Sequence, residues 1–194
     1  MKKINTRVIA EIALLAAFSY IIDLLQGAIS NFLPFWPNGG SIGIAMVPIF
    51  IMAYKRGLLS GILTGLIMGL CQMLGGVYVL PGGNAITVFF QVSLDYYLAY
   101  TVVGFAGVVF NKYQNTNNKT VYIITGVLLG GFLKYLCHFL SGVLFWPTDL
   151  WNVGGPIIFS ILYNGLYMVP STILCLIIMV VLSKKQSHLF KNDK

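Results

Sequence analysis

Long apolar stretches that carry almost no charge dominate this sequence, and they restrict its fold more than any other feature. Six stretches can be marked, at residues 6–25, 41–54, 57–74, 84–110, 121–145 and 156–182. About 20 apolar residues in a helix span the hydrocarbon core of a bilayer, whereas about 25% of a soluble domain is charged. Here only 9% of the 194 residues are charged and 58% are hydrophobic. We therefore predict an all-α integral membrane protein with six transmembrane helices, in a single domain that covers residues 1–194.

Two of the stretches depart from the simplest pattern. The stretch at 41–54 is short for a spanning helix, so a tilted or irregular segment is expected there. The first stretch follows Lys2 and Lys3 and carries Arg7 at its start, and a signal peptide also begins in this way. No small-residue cleavage site follows it, and Asp23 interrupts the apolar run. We therefore interpret residues 6–25 as an uncleaved first span.

The positions of the basic residues predict the orientation. Eleven of the 12 basic residues lie before or at the start of the first stretch, between the second and third, between the fourth and fifth, or after the sixth. They are Lys2, Lys3, Arg7, Lys55, Arg56, Lys112, Lys119, Lys184, Lys185, Lys191 and Lys194. The opposite connections, roughly 26–40, 75–83 and 146–155, contain no Lys or Arg. Because basic loops stay in the cytoplasm, six spans with both termini in the cytoplasm are predicted.

The three connections without basic residues are rich in aromatic residues, Pro and Gly. They include residues 31–40 with Trp36, residues 79–83, and residues 146–151 with Trp146 and Trp151. Such residues suit an aromatic belt at the membrane interface. They equally suit a lid over a pocket that opens outward, and residues 27–40 are the segment that we expect to close it.

Ionisable residues within the apolar stretches are few, and each one needs a reason. A charge at mid-helix costs on the order of 2.5–3.5 kcal/mol on insertion scales. Glu11 follows Arg7 by four residues, which favours a structural ion pair. Asp23 is near the outer end of the first stretch and is expected to reach the interface. Asp95 lies well inside the fourth stretch, one turn after Gln91, and has no such simple explanation.

Further polar residues lie in the fifth and sixth stretches. Lys134 and His138 are one turn apart, and the sixth stretch carries a polar stripe of Ser160, Asn164, Tyr167 and Ser171. A network of hydrogen bonds between helices would explain some of them, and Asp95 could form a buried ion pair with Lys134. Together they favour a polar ligand pocket between the fourth, fifth and sixth helices. A carboxylate among aromatic rings suits a cationic aromatic ligand.

Several classes of function lack their sequence signatures. We find no phosphate-binding GxxxxGK[ST] loop, no HExxH motif and no Ser/His/Asp arrangement, so ATP hydrolysis and enzyme activity are not expected. Cys71, Cys137 and Cys175 lie far apart, which favours small buried residues over a metal site. Ala13 and Ala17 share one face of the first stretch, which would let another helix approach closely, within this chain or in a partner.

Taken together, these residues resemble a known family over nearly the whole chain, from about residue 7 to residue 185. This family comprises the thiamine-specific substrate-binding (S) subunits of energy-coupling factor (ECF) transporters, of the ThiT or YuaJ type. The resemblance is carried by Glu11-Ile12-Ala13, Asn38-Gly39-Gly40-Ser41, Met46-Val47-Pro48-Ile49, Lys55-Arg56-Gly57, Leu94-Asp95-Tyr96, Lys134-Tyr135 with His138, Ser141-Gly142, Tyr163-Asn164 and Tyr167-Met168-Val169-Pro170-Ser171.

The resemblance implies a fold, a function and partners. Such subunits have six transmembrane helices in a bacterial plasma membrane, capture thiamine from outside with high affinity, and need no cofactor. They deliver the vitamin by toppling within a complex that contains a transmembrane coupling subunit and two ATPases. ATP is hydrolysed by those partners, so the subunit itself is not an enzyme. The face of Ala13 and Ala17 looks like the surface on which the coupling subunit docks.

The resemblance also implies a substrate-binding set: Asp95, Tyr96, Lys134, His138, Trp146, Asn164, Tyr78 and Tyr163. Asp95 matches an acidic residue that faces the cationic ligand, although glutamate is familiar there and the shorter side chain changes the contact. His138 and Trp146 match residues that stack on the ligand rings, and Asn164 one that hydrogen-bonds the pyrimidine. Tyr78 matches less directly, because extra residues around 81–83 precede Asp95.

Three alternatives remain open from the sequence. The same architecture would serve an S subunit for another vitamin, such as riboflavin, which needs no carboxylate for charge. A secondary transporter would couple to protons through Asp95 and His138 and would work without partners. A purely structural membrane protein would bind no ligand.

Overall fold

The computed structural model describes residues 5–30 and 40–192, and within these ranges all regular secondary structure is helical. The main helices are α1 (Thr6–Ser30), α2 (Val47–Arg56), α3 (Leu58–Gln72), α4 (Ala85–Gln114), α5 (Lys119–Leu144) and α6 (Pro156–Lys185). Short 3₁₀ turns follow at Met73–Gly75 and Ser187–Phe190. Five helical segments, all but α2, are long and apolar enough to cross a membrane. The predicted all-α membrane class is therefore confirmed.

Helix α2 differs from its predicted bounds of 41–54. It has 10 residues and begins at Val47, with a proline in its first turn. At 1.5 Å per residue it is about 15 Å long, half the thickness of the hydrocarbon core. Residues 41–46 are not helical because side chains of α1 and α6 bind their backbone: Gln26 Oε1 accepts from Ile44 N at 2.8 Å, and Ser171 Oγ from Gly43 N at 3.0 Å. The short helix is central, since Phe50, Met52 and other residues along it are fully buried.

Helix α4 is one continuous helical segment but is not uniformly α-helical. Ala85–Val92 is α-helical, Ser93–Leu98 forms a π-helical turn, and Val102–Val109 is wound as a 3₁₀ helix. Asn84 caps its start by accepting from Thr87 N at 2.9 Å. Wide π turns inside helices often occur at functional sites. This one carries Asp95 and Tyr96, whose side-chain directions therefore differ from those of a regular helix.

Close packing of α3 on α4 fixes where that turn lies. Gly61, Gly65 and Gly69 follow one another at intervals of four residues and face the α4 backbone. A Cβ atom at Gly65 would lie 2.2 Å from the carbonyl oxygen of Tyr100, and one at Gly69 would lie 2.5 Å from Cα of Tyr97. Only glycine allows this approach. The two helices therefore hold Tyr100 and the π turn beside α3.

Charged residues gather at one end of the bundle around Glu11. Its carboxylate accepts from Arg56 Nε at 2.7 Å and from Lys55 Nζ at 3.1 Å, and it pairs with Arg7 Nε at 3.4 Å. The predicted Arg7–Glu11 pair is confirmed, and the structure adds the two basic residues at the end of α2. This cluster ties the start of α1 to the end of α2.

The end of α4 and the C-terminal segment join the same end. Gln114 Nε2 donates to Tyr54 O at 2.8 Å and to Phe190 O at 3.0 Å, and Arg56 Nη1 donates to Asn192 Oδ1 at 3.1 Å. Since α1, α5 and α6 run the length of the bundle from or toward this end, their other halves meet at the opposite one. Asp23 of α1, Lys134 and His138 of α5, and Ser160 and Asn164 of α6 lie in these halves.

Candidate functional site

A cavity of about 510 Å³ occupies the end of the bundle opposite the charged cluster. All eight residues of the predicted substrate-binding set line it: Tyr78, Asp95, Tyr96, Lys134, His138, Trp146, Tyr163 and Asn164. The cavity was predicted between the fourth, fifth and sixth helices. The structure adds a further wall, from the second half of α1 and residues 40–46, through Asp23, Gln26 and Ser41.

Asp95 projects from the π turn of α4 toward α5. Its Oδ2 accepts a hydrogen bond from Gln91 Nε2 at 2.8 Å, and its Oδ1 lies 3.7 Å from His138 Nδ1. Gln91 is 1% exposed and also donates to Tyr78 O at 3.2 Å. The carboxylate is thus held in place by an amide, which carries no charge to neutralise it.

Lys134 lies deeper in the same cavity but does not pair with Asp95, so the ion pair that the sequence left open is not formed. Its side chain is 7% exposed, and Nζ sits 3.4 Å from the centre of the Tyr100 ring. Among the residues that the structure describes, the ammonium group forms no ion pair. Its contact is therefore a cation–π interaction with α4.

Asp23 is a cavity residue that the sequence did not assign to the binding site. It was expected to reach the membrane interface, but it points into the bundle and lines the cavity. Its carboxylate accepts from Tyr100 OH at 2.5 Å, Gln72 Nε2 at 2.8 Å and Gln26 Nε2 at 3.1 Å. The spacing of Asp23 and Gln26, three residues apart on one helix face, was the available signal. The cavity therefore holds a second carboxylate.

The polar stripe of α6 faces inward, as its spacing predicts. Ser160, Asn164, Tyr167 and Ser171 are all at most 6% exposed, and all line the cavity. Tyr167 OH donates to Asn164 Oδ1 at 2.6 Å, and Ser160 Oγ donates to Phe139 O of α5 at 3.0 Å. The stripe thus supplies both hydrogen bonds between helices and a polar wall, the two explanations that the sequence offered.

Aromatic side chains from two loops meet at the mouth of the cavity. The rings of Tyr78 and Trp146 stack with their centres 5.0 Å apart. Tyr78 N donates to Tyr96 OH at 2.6 Å, which fixes the loop after α3 to the π turn. The lid predicted at 27–40 falls mainly on residues 31–39, with Trp36, which lie outside the described residues. Its first part ends α1, where Gly27 and Ser30 line the cavity.

The loop before α6 is organised around Asp149. Its carboxylate accepts from the backbone N–H groups of Val153 at 2.9 Å, Gly155 at 2.7 Å and Gly154 at 3.2 Å. These bonds hold the pKa of Asp149 below its usual range. Gly155 has φ +110°, a conformation that favours glycine. The turn places Trp151 against Phe159 of the cavity wall, with ring centres 4.9 Å apart.

We expect Asp149→Asn to loosen this turn, since an amide offers one oxygen acceptor where the carboxylate offers two. In the wild type, a lowered folded-state pKa stabilises the turn above about pH 4, and this contribution is lost as the pH falls further. Fluorescence of Trp151, with Trp36→Phe and Trp146→Phe as background, should shift to the red below about pH 4. The variant should be shifted already at pH 7. Identical spectra in both proteins at both pH values would contradict the assignment.

Comparison with known proteins places the chain among transporters. The family model described as "Thiamine transporter protein" matches residues 9–191. The thiamine transporter ThiT of Bacillus subtilis is 32% identical over 192 residues, covering 95% of this chain and 94% of that protein. ThiT of Lacticaseibacillus paracasei is 28% identical, covering 94% and 90%. A solved structure of ThiT from Listeria monocytogenes superposes with a TM-score of 0.81 at 26% identity, covering 96% of this chain and 100% of that one. The chain therefore belongs to the thiamine transporter protein family.

Proposed function

We propose that this chain binds thiamine in the cavity around Asp95 and serves as the substrate-binding subunit of an ATP-driven ECF importer. The observation that carries the proposal is the convergence of a carboxylate and several aromatic rings on one cavity inside a membrane bundle. Thiamine carries a fixed positive charge on its thiazolium ring, so its site needs an anion or aromatic faces. Membership in the thiamine transporter protein family supports the choice of ligand.

Each residue of the set has a role in this proposal. Asp95 faces the thiazolium, since it lines the cavity with its Oδ1 3.7 Å from His138 Nδ1. His138 and Trp146 stack on the ligand rings, and Asn164 hydrogen-bonds the pyrimidine through its amide. The remaining four members, Tyr78, Tyr96, Lys134 and Tyr163, complete the wall of the cavity. The protein needs no cofactor for this, because binding involves no bond making or breaking.

The proposal includes an orientation and a place for the partners. The cluster around Glu11, with Lys55 and Arg56, would face the cytoplasm together with both termini, so that the cavity opens to the outside. Six segments would then cross the membrane as one domain, with the buried α2 as the short one. Ala13 and Ala17 are exposed on α1, whereas Ala16 on the other face is buried. The exposed pair suits the coupling subunit that would bring the two ATPases.

Titration of the purified protein tests the binding. Quenching of tryptophan fluorescence should saturate with thiamine at or below micromolar concentration and should be absent with riboflavin. A flat thiamine titration beside a response to riboflavin would move the substrate but keep the architecture. No response to either would contradict the proposed function.

Uptake into proteoliposomes tests the partnership. Thiamine uptake should require the coupling subunit, both ATPases and ATP, and should survive collapse of the proton gradient. Replacing Ala13 and Ala17 together with tryptophan should stop uptake while leaving thiamine binding unchanged. Uptake by the chain alone that a proton gradient drives would instead favour a secondary transporter using Asp95 and His138.

A further inference from the structure

Among the described residues, two carboxylates, one amine and one imidazole line the cavity, and their arrangement is uneven. Asp23 and Asp95 are acidic, Lys134 is basic, and His138 lies beside Asp95. A charge in such a place is costly unless another group compensates it. The obvious partner for Lys134 is Asp95, yet the two form no ion pair. The positive charge of Lys134 must therefore be compensated by a group other than Asp95.

Tyr100 links Lys134 to a second carboxylate, that of Asp23. The ammonium group of Lys134 lies 3.4 Å from the centre of one face of its ring, while its hydroxyl donates to Asp23 Oδ1 at 2.5 Å. The face of an aromatic ring attracts cations, and donation of the hydroxyl proton to a carboxylate increases the electron density of the ring. Asp23 therefore acts on Lys134 through Tyr100.

The place of Asp23 is itself fixed by two amides. Gln72 Nε2 of α3 donates to it at 2.8 Å, and Gln26 Nε2 of α1 at 3.1 Å. Gln26 also binds the backbone of Ile44 through its oxygen, at 2.8 Å. Tyr100 cannot move away either, because its carbonyl oxygen lies against Gly65 of α3. The chain from Asp23 to Lys134 is therefore held on both sides.

We infer that Asp23 is a positioning residue that keeps the charge of Lys134 on the α1 side of the cavity and so leaves Asp95 free for a cationic ligand. The inference rests on the proposed function, since it concerns how the same cavity selects a cation. Without the Asp23 carboxylate, Lys134 would be an uncompensated cation in the cavity. It would turn toward Asp95 and would repel the thiazolium that the cavity is proposed to hold.

Asp23→Asn tests the inference, with thiamine and an uncharged isostere as probes. In the isostere a carbon atom replaces the ring nitrogen that carries the positive charge. We expect affinity for thiamine to fall about tenfold or more, as is typical of close charge interactions in binding sites, while affinity for the isostere changes less than about threefold. If the wild type binds thiamine, two results would overturn the inference. One is an equal loss of affinity for both probes in Asp23→Asn, and the other is no loss of affinity for thiamine in that variant. Failure of the wild type to bind thiamine would overturn the proposed function instead.

Two further variants separate charge from structure. In a Lys134→Met background, Asp23→Asn should no longer weaken thiamine binding, because the cation that Asp23 compensates is gone. Tyr100→Phe keeps the ring under Lys134 but removes the hydroxyl that contacts Asp23, and should give a smaller loss with the same preference for the charged probe. If Asp23→Asn does not fold, Tyr100→Phe decides. If Tyr100→Phe changes the affinity for thiamine and for the isostere by the same factor relative to the wild type, Asp23 does not act on Lys134 through Tyr100.

Discussion

Replacing Asp95 with asparagine is expected to weaken thiamine binding about 100-fold, the size typical when one partner of a buried charge interaction is removed. In the wild type, Asp95 Oδ2 accepts from Gln91 Nε2 at 2.8 Å. Asparagine has nearly the same shape and keeps an oxygen that can accept this hydrogen bond. The helix turn and the loop held by Gln91 are therefore retained. What is lost is the negative charge that the thiazolium needs once the cavity has taken it out of bulk water.

Calorimetric titration of the detergent-purified variant with thiamine measures this effect. Asp95→Glu keeps the charge and should bind within about tenfold of the wild type, since a longer carboxylate still reaches the ligand. Glu11→Gln is the matched control, because it also removes a carboxylate from a helix but at the charged end, away from the cavity. It should leave affinity unchanged. Equal affinity of Asp95→Asn and the wild type would show that the carboxylate does not face the ligand.

The second large effect concerns stability, and its site is Gly65. A Cβ atom there would lie 2.2 Å from the carbonyl oxygen of Tyr100 and 2.8 Å from its carbonyl carbon. These are backbone atoms, which cannot rotate away as a side chain would. Overpacking of this kind typically costs about 1–3 kcal/mol, so Gly65→Ala should lower the melting temperature by several degrees. Gly65→Leu should separate α3 from α4 and prevent folding.

Thermal unfolding in detergent, followed by circular dichroism, measures the loss. The control is Gly165→Ala in α6, where a Cβ atom would meet nothing within 4 Å. That change replaces a glycine inside a helix by a better helix former and should leave stability unchanged or raise it by about 1 kcal/mol. The two substitutions are chemically identical, so a difference between them reports the local packing. A Gly65→Ala protein that melts with the wild type would mean that α3 and α4 do not approach this closely.

Gly65→Ala should also displace Tyr100. Tyr100 lies between Asp23 and Lys134, so a shift of α4 would disturb the cation in the cavity as well as the fold. Binding and stability are thus coupled at this contact. Wild-type affinity in a strongly destabilised Gly65→Ala protein would separate them.

The sequence by itself determined the helical membrane class, because long uncharged stretches have few other stable folds. Periodicity along one helix also predicted which face of α6 is polar, and Ser160, Asn164, Tyr167 and Ser171 do share a buried face. The Arg7–Glu11 pair was predictable in the same way, since residues four apart on a helix are neighbours wherever the helix packs.

Only the tertiary structure decided which groups from different helices meet. From the sequence, Lys134 had Asp95 as its acidic candidate. In the structure it contacts Tyr100 instead, which links it to Asp23, because the glycines of α3 bring α4 within reach. The short α2 has the same kind of origin, since hydrogen bonds from α1 and α6 to the backbone of Gly43 and Ile44 outweigh local helix propensity there. A pattern along one helix carries no information on the distance to the next, and the charge balance of the cavity depends on that distance.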